Sequence, residues 1–142
     1  MIETREGGCH CGRVRFRARI DLALMSHCNC SLCTKKASLH LGVDRSDFEL
    51  LSGEDALVTY QFNTMTAKHF FCRHCGVHSF HAPRRNPDRL AVNARALDGI
   101  DLAELTPTRF FDGRNWEEAQ SRHLAEEAER QRLADSGTIP PG

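Results

Sequence analysis

Gly8-Cys9-His10-Cys11-Gly12-Arg13-Val14-Arg15-Phe16-Arg17-Ala18-Arg19-Ile20 joins a cysteine pair of metal-ligand type to a strand. From Gly12 the chain alternates, with Val14, Phe16, Ala18 and Ile20 on one side and Arg13, Arg15, Arg17 and Arg19 on the other. A period of two with β-branched and aromatic members describes a strand with one buried face. The arginine row reads as a solvated or edge face protected by charge, with a polyanion site as the rival reading. Cys9 and Cys11, one residue apart, would share a face on an extended strand and so aim both sulfurs at one ion.

Seven cysteines occur, and all fall into three clusters: Cys9 and Cys11; Cys28, Cys30 and Cys33; Cys72 and Cys75. Cys72-Arg73-His74-Cys75-Gly76 has zinc-knuckle spacing, and Gly76 is expected to take the positive φ that turns backbone N–H groups toward sulfur. Two pairs make one four-thiolate, saturated and hence structural, zinc site. A Cys-x-Cys disulfide would be strained, and the odd count also favours metal; an iron–sulfur cluster is the alternative occupant.

Cys28, Cys30 and Cys33 hold a metal on three sides only. The fourth position is left for water, substrate or a histidine (His27, His40, His74, His78 or His81), and a metal-free redox trio is the rival reading. Three thiolates on a dication leave one net negative charge, which makes the ion a poor generator of hydroxide. Such a site suits a second thiol, held as thiolate at a pH where a free thiol of pKa ~8.5 is mostly protonated. The fitting reaction is attack of that thiolate on an aldehyde carbonyl, or its reverse.

A chain of 142 residues, 40% apolar, is a single-domain length. Lys plus Arg and Asp plus Glu number 19 each, so no overall field draws the chain to nucleic acid or an anionic membrane. Met1–Gly8 has no apolar signal region, and no apolar run approaches a membrane span; a reducing cytoplasm is the expected location. Further strands are expected at Lys35–Val43, Phe48–Leu51, Leu57–Phe62, His69–Phe71, Val77–His81, Leu90–Leu97 and Thr108–Phe111. Asn115 can cap a helix from Trp116 to Leu133, whose thin apolar stripe is Trp116, Ala119, His123, Ala128 and Leu133. A helix that polar is expected to pack lightly or to lie against a partner subunit, as in a homodimer. The expected division is a zinc-binding β domain over 1–116, then a helix and frayed tail over 117–142, the tail from Ser136.

At these motifs the chain resembles the glutathione-dependent formaldehyde-activating enzyme family, which also includes centromere protein V-like proteins. The resemblance runs from about Gly7 to Trp116. It rests on Gly8 to Phe16, His27 to Lys35 and Phe71 to Gly76, with support from Val92 to Asp98 and Phe111-Asp112-Gly113. Many members carry glycine where this chain has Ala37-Ser38-Leu39. The resemblance implies a mainly β fold of packed antiparallel sheets stabilised by zinc, here with a C-terminal α-helix. It implies two zinc ions per chain, structural at Cys9, Cys11, Cys72 and Cys75, catalytic at Cys28, Cys30 and Cys33. The implied activity is a carbon–sulfur lyase making S-hydroxymethylglutathione from formaldehyde and glutathione, so a small thiol and an aldehyde are the expected partners. An anionic thiol would need cations near the triplet, for which Lys35, Lys36, Arg73, Arg84 and Arg85 are candidates. His78 and His81 stand as proton shuttles or as structural residues. Two alternatives compete: a non-catalytic zinc module for a protein or nucleic acid partner, and a thiol redox or metal-buffering protein.

Overall fold

The structure, a computed structural model, describes residues 1–137. The expected tail therefore lies outside the described residues from position 138 on. Strand β1 (Glu3–Gly8) pairs antiparallel with β2 (Arg15–Ile20), and β5 (Phe48–Ser52) pairs with the other side of β2. The arginine-bearing strand is thus the middle of a three-stranded sheet, solvated on one face but not an edge. Its charges are neutralised locally. Arg15 pairs with Asp98, Arg17 lies 3.3 Å from both Glu6 and Glu49, and Arg19 lies 3.4 Å from Asp47. Exposed pairs of this kind contribute little each, about 0–1 kcal/mol.

The second sheet contains β3 (Ser26–Cys28), β4 (His40–Val43), β6 (Leu57–Tyr60), β7 (Lys68–Cys72), β8 (His78–Ala82), β9 (Leu90–Asn93) and β10 (Arg109–Phe111). Their spatial order is β10-β3-β4-β9-β8-β7-β6. All neighbours are antiparallel except β10 and β3, which run parallel with Phe111 opposite Cys28. That pair departs from the antiparallel expectation. A long return through the rest of the chain makes it feasible. The apolar face of β2 packs on this sheet: Phe16 is fully buried, and Phe48 bridges the layers with its ring 5.6 Å from Phe16 and 4.7 Å from Phe80.

Several expected strands are shorter than their patterns suggest, two of them by four residues or more. Lys35 and Lys36 belong to a helix, α1 (Ser31–Lys36), because the Cys30 side chain accepts the Cys33 N–H and caps it. Beyond Asn93 the chain turns into a single 3-10 turn, since the Asn93 side chain accepts the N–H of Arg95 at 3.1 Å. The C-terminal helix, α2 (Trp116–Asp135), begins where expected, but Asn115 does not cap it by a side-chain hydrogen bond. Asn115 donates instead to Asp112 at 2.9 Å. Only Ala119 of α2 is buried, so the helix packs lightly. Among the described residues no helix is long and apolar enough to cross a membrane.

α1 ends on Ala37 with φ +55°. A left-handed alanine is strained, and Ala37 is exposed, so its methyl group packs on nothing of value. Ala37→Gly is expected to raise stability by about 1 kcal/mol, read as a higher urea midpoint at unchanged slope.

Candidate metal centre

The first cluster forms where two turns meet. Cys9 follows β1, and Cys11 lies in the turn closed by the Gly12 N–H on the Cys9 carbonyl at 3.3 Å. The Cys-x-Cys pair is therefore presented by a tight turn, not by an extended strand. Cys72 ends β7, and Gly76 takes φ +79° with its N–H on the Cys72 carbonyl at 2.8 Å, as the knuckle requires. The four sulfurs all lie within 4.8 Å of one another, with Cys9–Cys11 at 3.6 Å and Cys11–Cys72 at 3.7 Å. Sulfurs on a tetrahedral zinc with ~2.3 Å bonds stand about 3.8 Å apart, so the donor set fits that ion. Backbone N–H groups of Val14 and His74 point at Cys9 and Cys72 sulfur at 3.3 and 3.4 Å. The Arg13 backbone and guanidinium hold the Cys11 thiol down to about 6, whereas burial pushes Cys9 up.

The second cluster is built by the β3–α1 junction. Cys28 ends β3, Cys30 caps α1, and Cys33 lies buried one turn inside it. The Cys30 N–H points at Cys28 sulfur at 3.4 Å and the Cys33 N–H at Cys30 sulfur at 3.3 Å. All three sulfurs lie within 4.8 Å of one another. Hydrogen bonds from Cys28 and Cys33 hold the Cys30 thiol far below its usual range, while those two are pushed up by sharing one site with it. Crowded thiols ionise together only around a cation, and three soft sulfurs suit zinc. Among the described residues no other cysteine, histidine or carboxylate joins this group.

Of the histidines considered as a fourth ligand, His40 comes nearest, its Nε2 lying 3.6 Å from Cys33 sulfur. It stands beside the triplet without joining all three sulfurs. His40 packs edge-on against His81 at 4.7 Å, His81 stacks on its cross-strand partner His69 at 5.0 Å, and His69 Nδ1 lies 3.1 Å from Lys36 Nζ. Burial holds His40, His69 and His78 at about 4 and His81 well below its usual value. These rings are neutral at physiological pH. His27 instead packs on Phe110 at 5.0 Å, and His74 belongs to the knuckle turn.

One part of the site was missed in the sequence. The segment after β10 closes over the triplet, and a Cβ at Gly113 would lie 2.6 Å from Cys28 sulfur. Asn29 pins that segment: it donates to Asp112 at 2.8 Å, and it accepts from the Arg114 N–H at 3.1 Å on its side chain and from Arg114 Nε at 2.8 Å on its carbonyl. The only sequence signal was the family-like Phe111-Asp112-Gly113, which carried no geometry.

The family described as glutathione-dependent formaldehyde-activating enzyme matches residues 4–112. A crystal structure of a Rhodobacter sphaeroides protein is similar at 34% identity, covering 74% of this chain and 98% of that one, with a TM-score of 0.69. With both cysteine clusters lying inside the matched span, the chain belongs to the glutathione-dependent formaldehyde-activating enzyme family.

Proposed function

We propose that the chain is a zinc-dependent carbon–sulfur lyase that forms or cleaves a thiol–aldehyde adduct of the S-hydroxymethylglutathione type. Cys9, Cys11, Cys72 and Cys75 are taken as ligands of a structural zinc, and Cys28, Cys30 and Cys33 as ligands of a catalytic one. The metal-binding unit spans 1–116, with 117–142 appended to it. The observation that carries this reading is the second cluster: three converging sulfurs that no other ligand side chain joins among the described residues.

Zinc bound there would supply the Lewis acidity that keeps a substrate thiol ionised near neutral pH. The chain's own residues do the rest. Backbone N–H groups orient Cys28 and Cys30, Gly113 and Asn29 shape the wall beside them, and the neutral histidine row meets Cys33 through His40. In the forward direction the thiolate sulfur bonds to the aldehyde carbon, the carbonyl π pair moves to oxygen, and oxygen takes a proton to give the hemithioacetal. The proton lost by the thiol balances the one gained by oxygen. His81 is 4% exposed and packed between His40 and His69, which favours the structural reading of that residue.

The non-catalytic alternative drew on the arginine row and the polar C-terminal helix; of that row Arg15, Arg17 and Arg19 are engaged by Glu6, Glu49, Asp47 and Asp98, and Arg13 faces Cys11. The lyase reading is tested by exchange NMR of formaldehyde and glutathione over the zinc-loaded protein. Exchange is expected to exceed buffer, and Cys30→Ser is expected to return it to the buffer rate with one zinc retained. Exchange no faster than buffer across pH 6–8 would sink the assignment.

A further inference from the structure

Five cations were candidates for meeting an anionic thiol, and the structure separates them. Lys35 is exposed on α1, where a lone charge is worth little. Lys36 is engaged by His69 at 3.1 Å. Arg73 lies in the knuckle of the other cluster, its N–H on the Ala56 carbonyl at 2.8 Å. Arg84 is committed to α2: its guanidinium lies 3.7 Å over the Trp116 ring and 3.3 Å from Glu117.

Arg85 is placed differently. Its guanidinium lies 4.7 Å over the ring of Phe111, the residue opposite Cys28 in the parallel β3–β10 pair. Gln120 of α2 donates to the Arg85 carbonyl at 3.4 Å and so ties its loop down. The side chain is half-buried, yet no acceptor among the described residues takes a hydrogen bond from the guanidinium. The charges that bear on it are Glu127 and Cys28 on one side and Arg89 and Arg109 on the other. Glu127 is shared with His123 at 3.1 Å, and Arg89 pairs with Asp44 at 3.0 Å. A planar fork of five donors, partly desolvated and unpaired, is costly unless an anion meets it, and its geometry matches a carboxylate.

We propose that Arg85 anchors a carboxylate of the thiol substrate, so that the chain selects thiols bearing a free carboxylate over the same thiols with that carboxylate esterified. The proposal rests on the lyase reading for the sulfur's destination, but not for its test. The metal complex of the triplet would carry one net negative charge and by itself disfavour an anionic thiol. A preference for the anionic thiol therefore requires a cation at the rim.

Calorimetric titration of the zinc-loaded full chain with glutathione and with glutathione dimethyl ester reads that preference directly. Glutathione is expected to bind about ten- to hundredfold tighter than the ester, and Arg85→Met to bring the ratio close to one. Arg85→Lys, which keeps a charge without the fork, is expected to retain only part of the preference, and decides the matter if the methionine variant fails to fold. Equal affinities in the unmutated chain, no binding of either ligand, or a ratio unchanged in Arg85→Lys and in folded Arg85→Met would overturn the anchor. A glutathione preference abolished by Arg85→Met without faster hemithioacetal exchange would support the anchor while removing the lyase reading. Faster exchange with no preference would do the reverse.

Discussion

Replacing Cys72 with serine is expected to remove cooperative folding at ordinary temperature. Cys72 is 1% exposed, ends β7 opposite Leu57, and shares its cluster with the turn that follows β1. Cys11 and Cys72 are 61 residues apart, and a cross-link over that separation restricts the unfolded chain by about 4 kcal/mol. The metal's own binding free energy, about 10 kcal/mol or more in small zinc domains, is also folding free energy. Against a total stability of about 5–15 kcal/mol, loss of this site leaves little margin. The triplet, by contrast, closes only the short loop from Cys28 to Cys33, for which the same entropy is about 2 kcal/mol. Thermal unfolding by circular dichroism, with zinc counted per chain, should show Cys72→Ser unfolded or strongly destabilised and Cys28→Ser folded with one zinc. A Cys72→Ser protein with an unchanged transition would show that the four-sulfur cluster does not hold the fold.

The sequence was most readable where one residue type had one consequence. Alternation made β2 a strand, with Val14, Phe16, Ala18 and Ile20 all buried. The knuckle spacing foretold the positive φ of Gly76. Reading failed where a side chain or a distant segment decides the local structure. α1 exists because Cys30 sulfur substitutes for the usual oxygen at a helix cap, a role that propensity assigns to serine or aspartate. The strand at Leu90 stops at Asn93 because that side chain turns back on the backbone. Arg85 could not be told from its neighbour Arg84 by composition or spacing. The structure sends one to Trp116 and the other to Phe111.

Gly113→Ala is the substitution that separates the two clusters without touching a cysteine. The new methyl group would lie 2.6 Å from Cys28 sulfur, 2.8 Å from Cys30 Cβ and 3.2 Å from Cys30 nitrogen. Two of these neighbours are fixed: Cys30 caps α1, and the covering segment is tied to Asn29 from Asp112 and Arg114. Relief must come from moving Cys28 sulfur or from breaking the Asn29 contacts, and either disturbs the triplet. Changes around a metal site typically cost about 10–100-fold in affinity or activity, and the same loss is expected here for the triplet zinc and for hemithioacetal exchange. The four-sulfur cluster is built from other segments, so one zinc should remain and the thermal midpoint should fall little. Competition with a chelator, resolving the two zinc ions by their release, measures the effect. Asn29→Ala provides the decisive comparison: it removes the side-chain contacts to Asp112 and the Arg114 N–H while keeping the carbonyl contact, and so loosens the segment. The double variant should therefore lose less than the sum of the single losses. Strict additivity would mean that the methyl group acts elsewhere. Unchanged retention of both zinc ions in Gly113→Ala would mean that the segment after β10 does not shape the site.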